Sequence, residues 1–193
     1  MMTARIAPVS LPLSNEVAQR MARLIPAGLP PPQLYRIVAR NARLWSFLVD
    51  SGLLGPAGLL DLQGLPRRLR EIVLLRTCVA NGCDYEFNLH VQTISQRMGL
   101  SRSEVEDLRS RKPDLTSWSR GERALMDLVD ALVQRREVSE IEFRQACLDH
   151  SEEMLIEISL LVGLYTGVAM LVALARPGFD LYRSAQPIRA TLT

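Results

Sequence analysis

Four side chains in one short stretch of this 193-residue chain could carry out proton chemistry together. Cys83, Glu86 and His90 follow one another at spacings of three and four, so on a helix they share a face and can converge. Glu71 stands twelve residues ahead of Cys83. Winding Pro66–Ala80 at ~100° per residue sets that carboxylate amid Leu74, Leu75 and Cys78, on an apolar face. A carboxylate there must find a partner or hold its proton with a raised pKa. Cys83 sits at a helix start, where unpaired amides favour a thiolate. Two carboxyls, an imidazole and a thiol suit general acid–base work. The same spacing also fits a buried polar cluster that fixes helix register, with a cysteine that only packs.

The elements that must position these groups are legible around them. Pro66 opens a helix running to about Ala80, Asn81-Gly82 turns the chain, and a second helix is expected from Cys83 to about Met98, closed by Gly99. Its apolar stripe is Phe87, Val91, Ile94 and Met98, and its opposite, solvated face is Asp84, Asn88, Gln92 and Ser95. Three capping-box patterns follow, Ser101-x-x-Glu104, Ser119-x-x-Glu122 and Ser139-x-x-Glu142. They predict helices near 102–110, 120–136 and 140–148, with another over 151–175. Upstream, residues 1–20 read as an arm, and Pro26, Pro30, Pro31 and Pro32 punctuate the entry to the body. Gln33 to about Leu54 is patterned as one helix, and Gly52, Gly55, Pro56 and Gly58 break it. With no strand pattern or internal repeat, the fold class is all-α. The expected organisation is an N-terminal extension over 1–30, a helical domain over 31–180 and a tail over 181–193.

Composition narrows the partners. The net charge is +2, and the 23 basic residues, all Arg except Lys112, are interleaved with acids, which argues against a nucleic acid or an acidic membrane. The arginine bias suits a GC-rich bacterial genome. Three cysteines, Cys78, Cys83 and Cys147, form no secreted framework, so a cytoplasmic location with free thiols is expected. Ile158 to Ala175 runs eighteen residues without a charge and contains Gly163-x-x-x-Gly167, yet Ser159, Tyr165 and Thr166 interrupt it. We read it as a helix buried by its own domain or by a partner subunit, not as a membrane span. Arg67, Arg68, Arg70 and Arg76 suit charge pairing more than binding of a carboxylated substrate. Trp45 and Trp118 suit packing, Tyr85 could line a substrate pocket, and Cys147 with His150 reads as a surface or interface helix end. Glu86 and His90 lack the further ligands a metal needs, so no metal is expected.

The pattern Leu65-Pro66-x-Arg68-Leu69-Arg70-Glu71, then Tyr85-Glu86-x-x-x-His90 and Gly99-Leu100-Ser101, resembles the core of the carboxymuconolactone decarboxylase family, in the alkylhydroperoxidase D-like superfamily. Glu157-x-x-x-x-x-Gly163-x-Tyr165 is similar to that family's closing helix, so the likeness spans about residues 34–175. It implies an all-α subunit that assembles into homo-oligomers, trimers or hexamers, and acts on a small molecule without a cofactor. In the alkylhydroperoxidase D branch a glutamate, a Cys-x-x-Cys and a histidine recur at this spacing. Here Glu71, Cys83 and His90 keep their places, while Glu86 occupies that of the second cysteine. A dithiol cycle like that branch's cannot run unchanged, and Cys78, on a different helix, leaves a substitute pairing unproved.

Three functions fit. One is a decarboxylase-like lyase using Glu71 or Glu86 and His90 as acid and base on a small carboxylated or lactone substrate. Another is a one-cysteine peroxidase with peroxiredoxin activity, Cys83 attacking the peroxide and an external thiol resolving it. The third is a non-catalytic oligomeric module. The candidate catalytic residues are Glu71, Cys83, Glu86 and His90, with Tyr85 at the substrate.

Overall fold

A computed structural model describes residues 4–110 and 113–182, so of the expected tail only Leu181 and Tyr182 fall among the described residues. These residues form two compact units, one of residues 4–62 with 170–182 and the other of 63–110 with 113–169.

In the first unit, α1 (Asn15–Ala22) occupies a stretch read as an arm. Its apolar residues were too few to stand out in the sequence, but Met21 and Leu24 join Ala39, Trp45, Val49 and Leu54 in one core cluster. The single helix expected over 33–54 is two, α2 (Gln33–Val38) and α3 (Ala42–Asp50). Asn41 divides them: its side chain accepts from the Leu44 amide at 3.1 Å and so starts a new helix. The expected break beyond Gly52 holds a minimal hairpin, β1 (Leu54–Gly55) paired antiparallel to β2 (Gly58–Leu59). Two-residue strands carry no alternation that a sequence pattern could reveal.

In the second unit, α4 (Arg67–Ala80) is central, with every residue from Arg70 to Cys78 buried. It packs against α5 (Asp84–Thr93), α6 (Arg102–Arg109) and α7 (Arg120–Gln134), and α7 in turn packs against α8 (Glu140–Cys147). The three capping boxes all form, at Ser101, Ser119 and Ser139. Two of their glutamates have a second task. Arg68 donates Nη2 to Glu104 and Nε to Glu122, each at 2.7 Å, and Nη1 to the Gly99 carbonyl. One side chain on α4 thereby ties down the starts of α6 and α7. Arg76 grips Asp130 on α7 with two donors and the Ser110 carbonyl with a third. Both arginines therefore serve charge pairing, the role expected of them over binding a carboxylated substrate.

The last helix, α9 (Glu152–Ala175), is the one described helix long and apolar enough to cross a membrane. Within the second unit it has two faces. Leu155, Ile158, Leu161, Val162 and Tyr165 are buried, whereas Ile156 and Leu160 are 63% and 59% exposed. His150, expected at a surface or interface helix end, is buried within the second unit, with Nε2 3.1 Å from the Gly121 carbonyl of α7. Cys147 is exposed.

Candidate active site

The turn between α4 and α5 sets the geometry. Gly82 lies at φ +64°, a conformation that only glycine adopts cheaply. The Cys83 amide donates to the Cys78 carbonyl at 2.8 Å and the Gly82 amide to the Val79 carbonyl at 3.1 Å. This pair of bonds is a Schellman motif, which ends α4 and leaves Cys83 as the N-cap of α5. The chain thus reverses so that the buried face of α4, with Glu71, meets the inner face of α5, with Glu86 and His90.

Those three residues form a buried ionic cluster, Glu71 fully enclosed, Glu86 6% and His90 4% exposed. His90 Nδ1 lies 3.2 Å from both Glu71 oxygens, and its Nε2 lies 3.5 Å from Glu86 Oε1. With a carboxylate at each ring nitrogen, both nitrogens act as donors, which is the imidazolium form. Burial alone would lower the His90 pKa. The Glu71 charge and hydrogen bond, reinforced by those of Glu86, outweigh it and raise the pKa to about 10. Burial likewise pushes Glu71 up. The imidazolium, hydrogen bonds from His90 and Ser95, and the charge of Arg70 hold it below the ordinary carboxylate value.

Two residues outside the expected set complete the cluster. Ser95 Oγ donates to Glu71 Oε1 at 2.5 Å and is 1% exposed, although the helical pattern put it on the solvated face. The helix ends at Thr93, not near Met98, and the Ile94 and Ser95 amides both return to the His90 carbonyl. That change of path swings Ser95 inward. Asn88, from the same supposed solvated face, is also buried, because Arg109 of α6 crosses it and donates to its Oδ1 at 3.2 Å. The second addition is Tyr165 of α9, whose ring meets the His90 ring edge-on, centroids 5.9 Å apart. Tyr85, the expected substrate residue, is buried on α5 beside Glu86.

Cys83 is 5% exposed. The Glu86 amide favours its thiolate, but burial dominates, and with the Glu86 and Asp84 charges it pushes the thiol up to about 12. At neutral pH Cys83 is a thiol. Glu86 holds the one oxygen in the cluster left unsatisfied: its Oε2 is buried with no hydrogen-bond partner among the described residues. Such an acceptor is costly to keep empty, and an incoming O–H or N–H would satisfy it. Beside it, His90 can give a proton. Among the described residues no group of three or more His, Cys, Asp or Glu side chains is arranged to hold a metal ion. A surface depression lined by Ser119, Arg120, Gly121, Asp149 and His150 involves none of the cluster residues.

Residues 57–131 match the model of the carboxymuconolactone decarboxylase family. No curated protein matches the sequence. Several solved structures share the fold. The debrominase Bmp8 superposes with a TM-score of 0.74 at 17% identity, over 93% of this chain and 94% of its own. Its cysteine-to-alanine variant in complex with 2,3,4-tribromopyrrole gives 0.71 at 18% identity, over 93% of each chain. An Agrobacterium tumefaciens protein of unknown function, described as an antioxidant defence protein AhpD, gives 0.61 at 20% identity, over 74% of this chain and 95% of its own. At these identities the likeness is one of fold: an all-α, alkylhydroperoxidase D-like domain.

Proposed function

We propose that this chain, whose residues 57–131 match the model of the carboxymuconolactone decarboxylase family, is an enzyme whose Glu86–His90–Glu71 cluster moves a proton on a small substrate. The observation that carries this reading is the unpartnered, buried Glu86 Oε2 beside a charged imidazole. Glu86 takes a proton from an O–H or N–H that the substrate presents. His90, held as imidazolium and oriented by Glu71, gives one to the group that becomes negative. Lactone and keto-acid substrates, whose carbon skeleton can delocalise the electrons left by carbon dioxide, suit this pair without a cofactor.

A second reading uses Cys83, and one specific placement favours it: Cys83 stands at the N-cap position of α5, where the charge of Glu86 acts on its sulfur, so the same carboxylate can take the thiol proton. The cysteine-to-alanine variant of the structurally similar debrominase, bound to a tribrominated pyrrole, makes thiol chemistry on this fold a concrete alternative. The test is a panel of lactones, β-keto acids and alkyl hydroperoxides with three variants. On the acid–base reading Glu86→Gln and His90→Ala each lower kcat by roughly a hundredfold or more, and Cys83→Ser is tolerated. Loss of turnover in Cys83→Ser moves the assignment to the thiol, and full turnover in Glu86→Gln removes the acid–base reading. A cytoplasmic setting would keep all three thiols reduced. Homo-oligomeric assembly belongs to the same proposal, with the exposed apolar face of α9 as its surface.

A further inference from the structure

Cys78 and Cys83 occupy linked positions that the sequence spacing did not disclose. In a Schellman motif the first residue of the 6→1 bond and the residue that donates it frequently pack their side chains together. Here those two residues are Cys78 and Cys83, joined through the 2.8 Å backbone bond across Gly82. Both side chains are buried, at 2% and 5% exposure, and both are free thiols. Burial pushes the Cys78 thiol well up, and the charge of Cys83 adds to that rise. Neither is held by a structural role that needs a sulfur: ordinary Schellman contacts at these places are made by apolar side chains.

We propose that Cys78 is the resolving thiol for Cys83, closing an intramolecular disulfide across the α4–α5 turn in place of the cysteine that Glu86 displaces. This rests on the second of the two readings above, in which Cys83 reacts. An alkyl hydroperoxide oxidises Cys83: the O–O bond breaks, an S–O bond forms, and the thiol proton leaves with the alcohol, giving a sulfenic acid. Cys78 sulfur then attacks Cys83 sulfur, the S–O bond breaks, and the hydroxyl departs as water with the Cys78 proton. An external dithiol returns two electrons and two protons, leaving as its own disulfide. The Glu86 carboxylate, whose charge acts on both sulfurs, can accept the proton released in each step and pass it on. The chain would then run a dithiol cycle with its two thiols on either side of the turn instead of one helical turn apart.

The experiment uses the full chain carrying Cys147→Ser, which removes the exposed thiol, treated with one equivalent of tert-butyl hydroperoxide in the presence of dimedone. Peptide mapping without reduction should find Cys78 joined to Cys83. A neighbouring thiol outcompetes an added trap, so dimedone labelling of Cys83 should rise about tenfold or more in Cys78→Ala. If the parent protein carries dimedone on Cys83 to the same extent as Cys78→Ala, with no Cys78–Cys83 peptide, the resolving role is wrong while Cys83 reactivity stands. If Cys83 is oxidised in neither protein, the thiol reading fails and takes this proposal with it. The cross-link map of the parent protein decides the matter even if Cys78→Ala does not fold.

Discussion

Replacing Glu71 by glutamine tests the electrostatic heart of the cluster. The His90 pKa stands at about 10 against an ordinary 6.5, with Glu71 contributing more than Glu86 and burial opposing both. At about 1.4 kcal/mol per pH unit, that rise amounts to roughly 5 kcal/mol of preference for the imidazolium. The Glu71→Gln side chain keeps the shape and a hydrogen bond but removes the charge, so His90 should titrate near or below its ordinary value. The chain has only two histidines, so the imidazole signals in a heteronuclear NMR titration are assigned by comparison with a His150 variant. In the parent protein both His90 nitrogens should be protonated at neutral pH. Stability changes sign with it. In the parent protein the folded state holds the His90 proton more tightly, so its contribution is full below 6.5 and is lost as pH rises through about 10. Glu71, with its pKa lowered, contributes above its ordinary 4.5 and loses that contribution as pH falls through its folded value. In Glu71→Gln a neutral buried His90 reverses the first trend, and stability rises with pH through its ordinary value. A parent His90 that is neutral at neutral pH, or a variant His90 still titrating above about 8, would refute the argument.

Three further outcomes follow from the packing. Ser95→Ala leaves one oxygen of the enclosed Glu71 short of a donor, and should cost about 1–3 kcal/mol in urea denaturation; an unchanged midpoint would show that bond to be idle. Arg68→Ala releases two capping-box glutamates at once. The side chain is a third exposed, so a discounted loss of about 1–2 kcal/mol is expected. Faster amide exchange at the starts of both α6 and α7 should accompany it, and protection unchanged at both would contradict the clamp. Leu160→Glu, on the exposed face of α9, should convert an oligomer to monomers in sedimentation with little change in helix content; a monomeric parent protein would remove α9 as an assembly surface.

What the sequence disclosed, and what it withheld, follows the range of the forces involved. The capping boxes at Ser101, Ser119 and Ser139 are local contracts between residues three apart, and each formed where the pattern put it. Glu71 and His90 could be paired in advance because two helical periods and one glycine turn relate them. Ser95 could not, because its position depends on where α5 stops, and a uniform 100° winding past Thr93 assigns the wrong face. Tyr165 reaches His90 from α9, and no local signal announces it beyond a tyrosine inside an apolar run. His150 shows the same limit: a lone imidazole near a helix end reads as exposed until the Gly121 carbonyl of another helix is seen against it. Cys78 and Cys83 fall between these cases, since their relation rests on the φ of Gly82, which the Asn81-Gly82 turn only hinted at.

The glutamate at position 86 accounts for most of what sets this site apart from a Cys-x-x-Cys arrangement. A second thiol there would leave His90 with a single carboxylate partner and the first thiol with one fewer negative neighbour. The charge of Glu86 raises both pKa values: it helps hold His90 charged up to about 10, and it helps hold Cys83 neutral up to about 12. On the proposed readings the site therefore rests with His90 loaded as proton donor and Cys83 held as a thiol. A substrate that donates to Glu86 Oε2 draws off part of that negative charge. On the thiol reading, the same contact that binds the substrate would weaken the grip on the Cys83 proton, so the thiol would ionise more easily with a substrate in place.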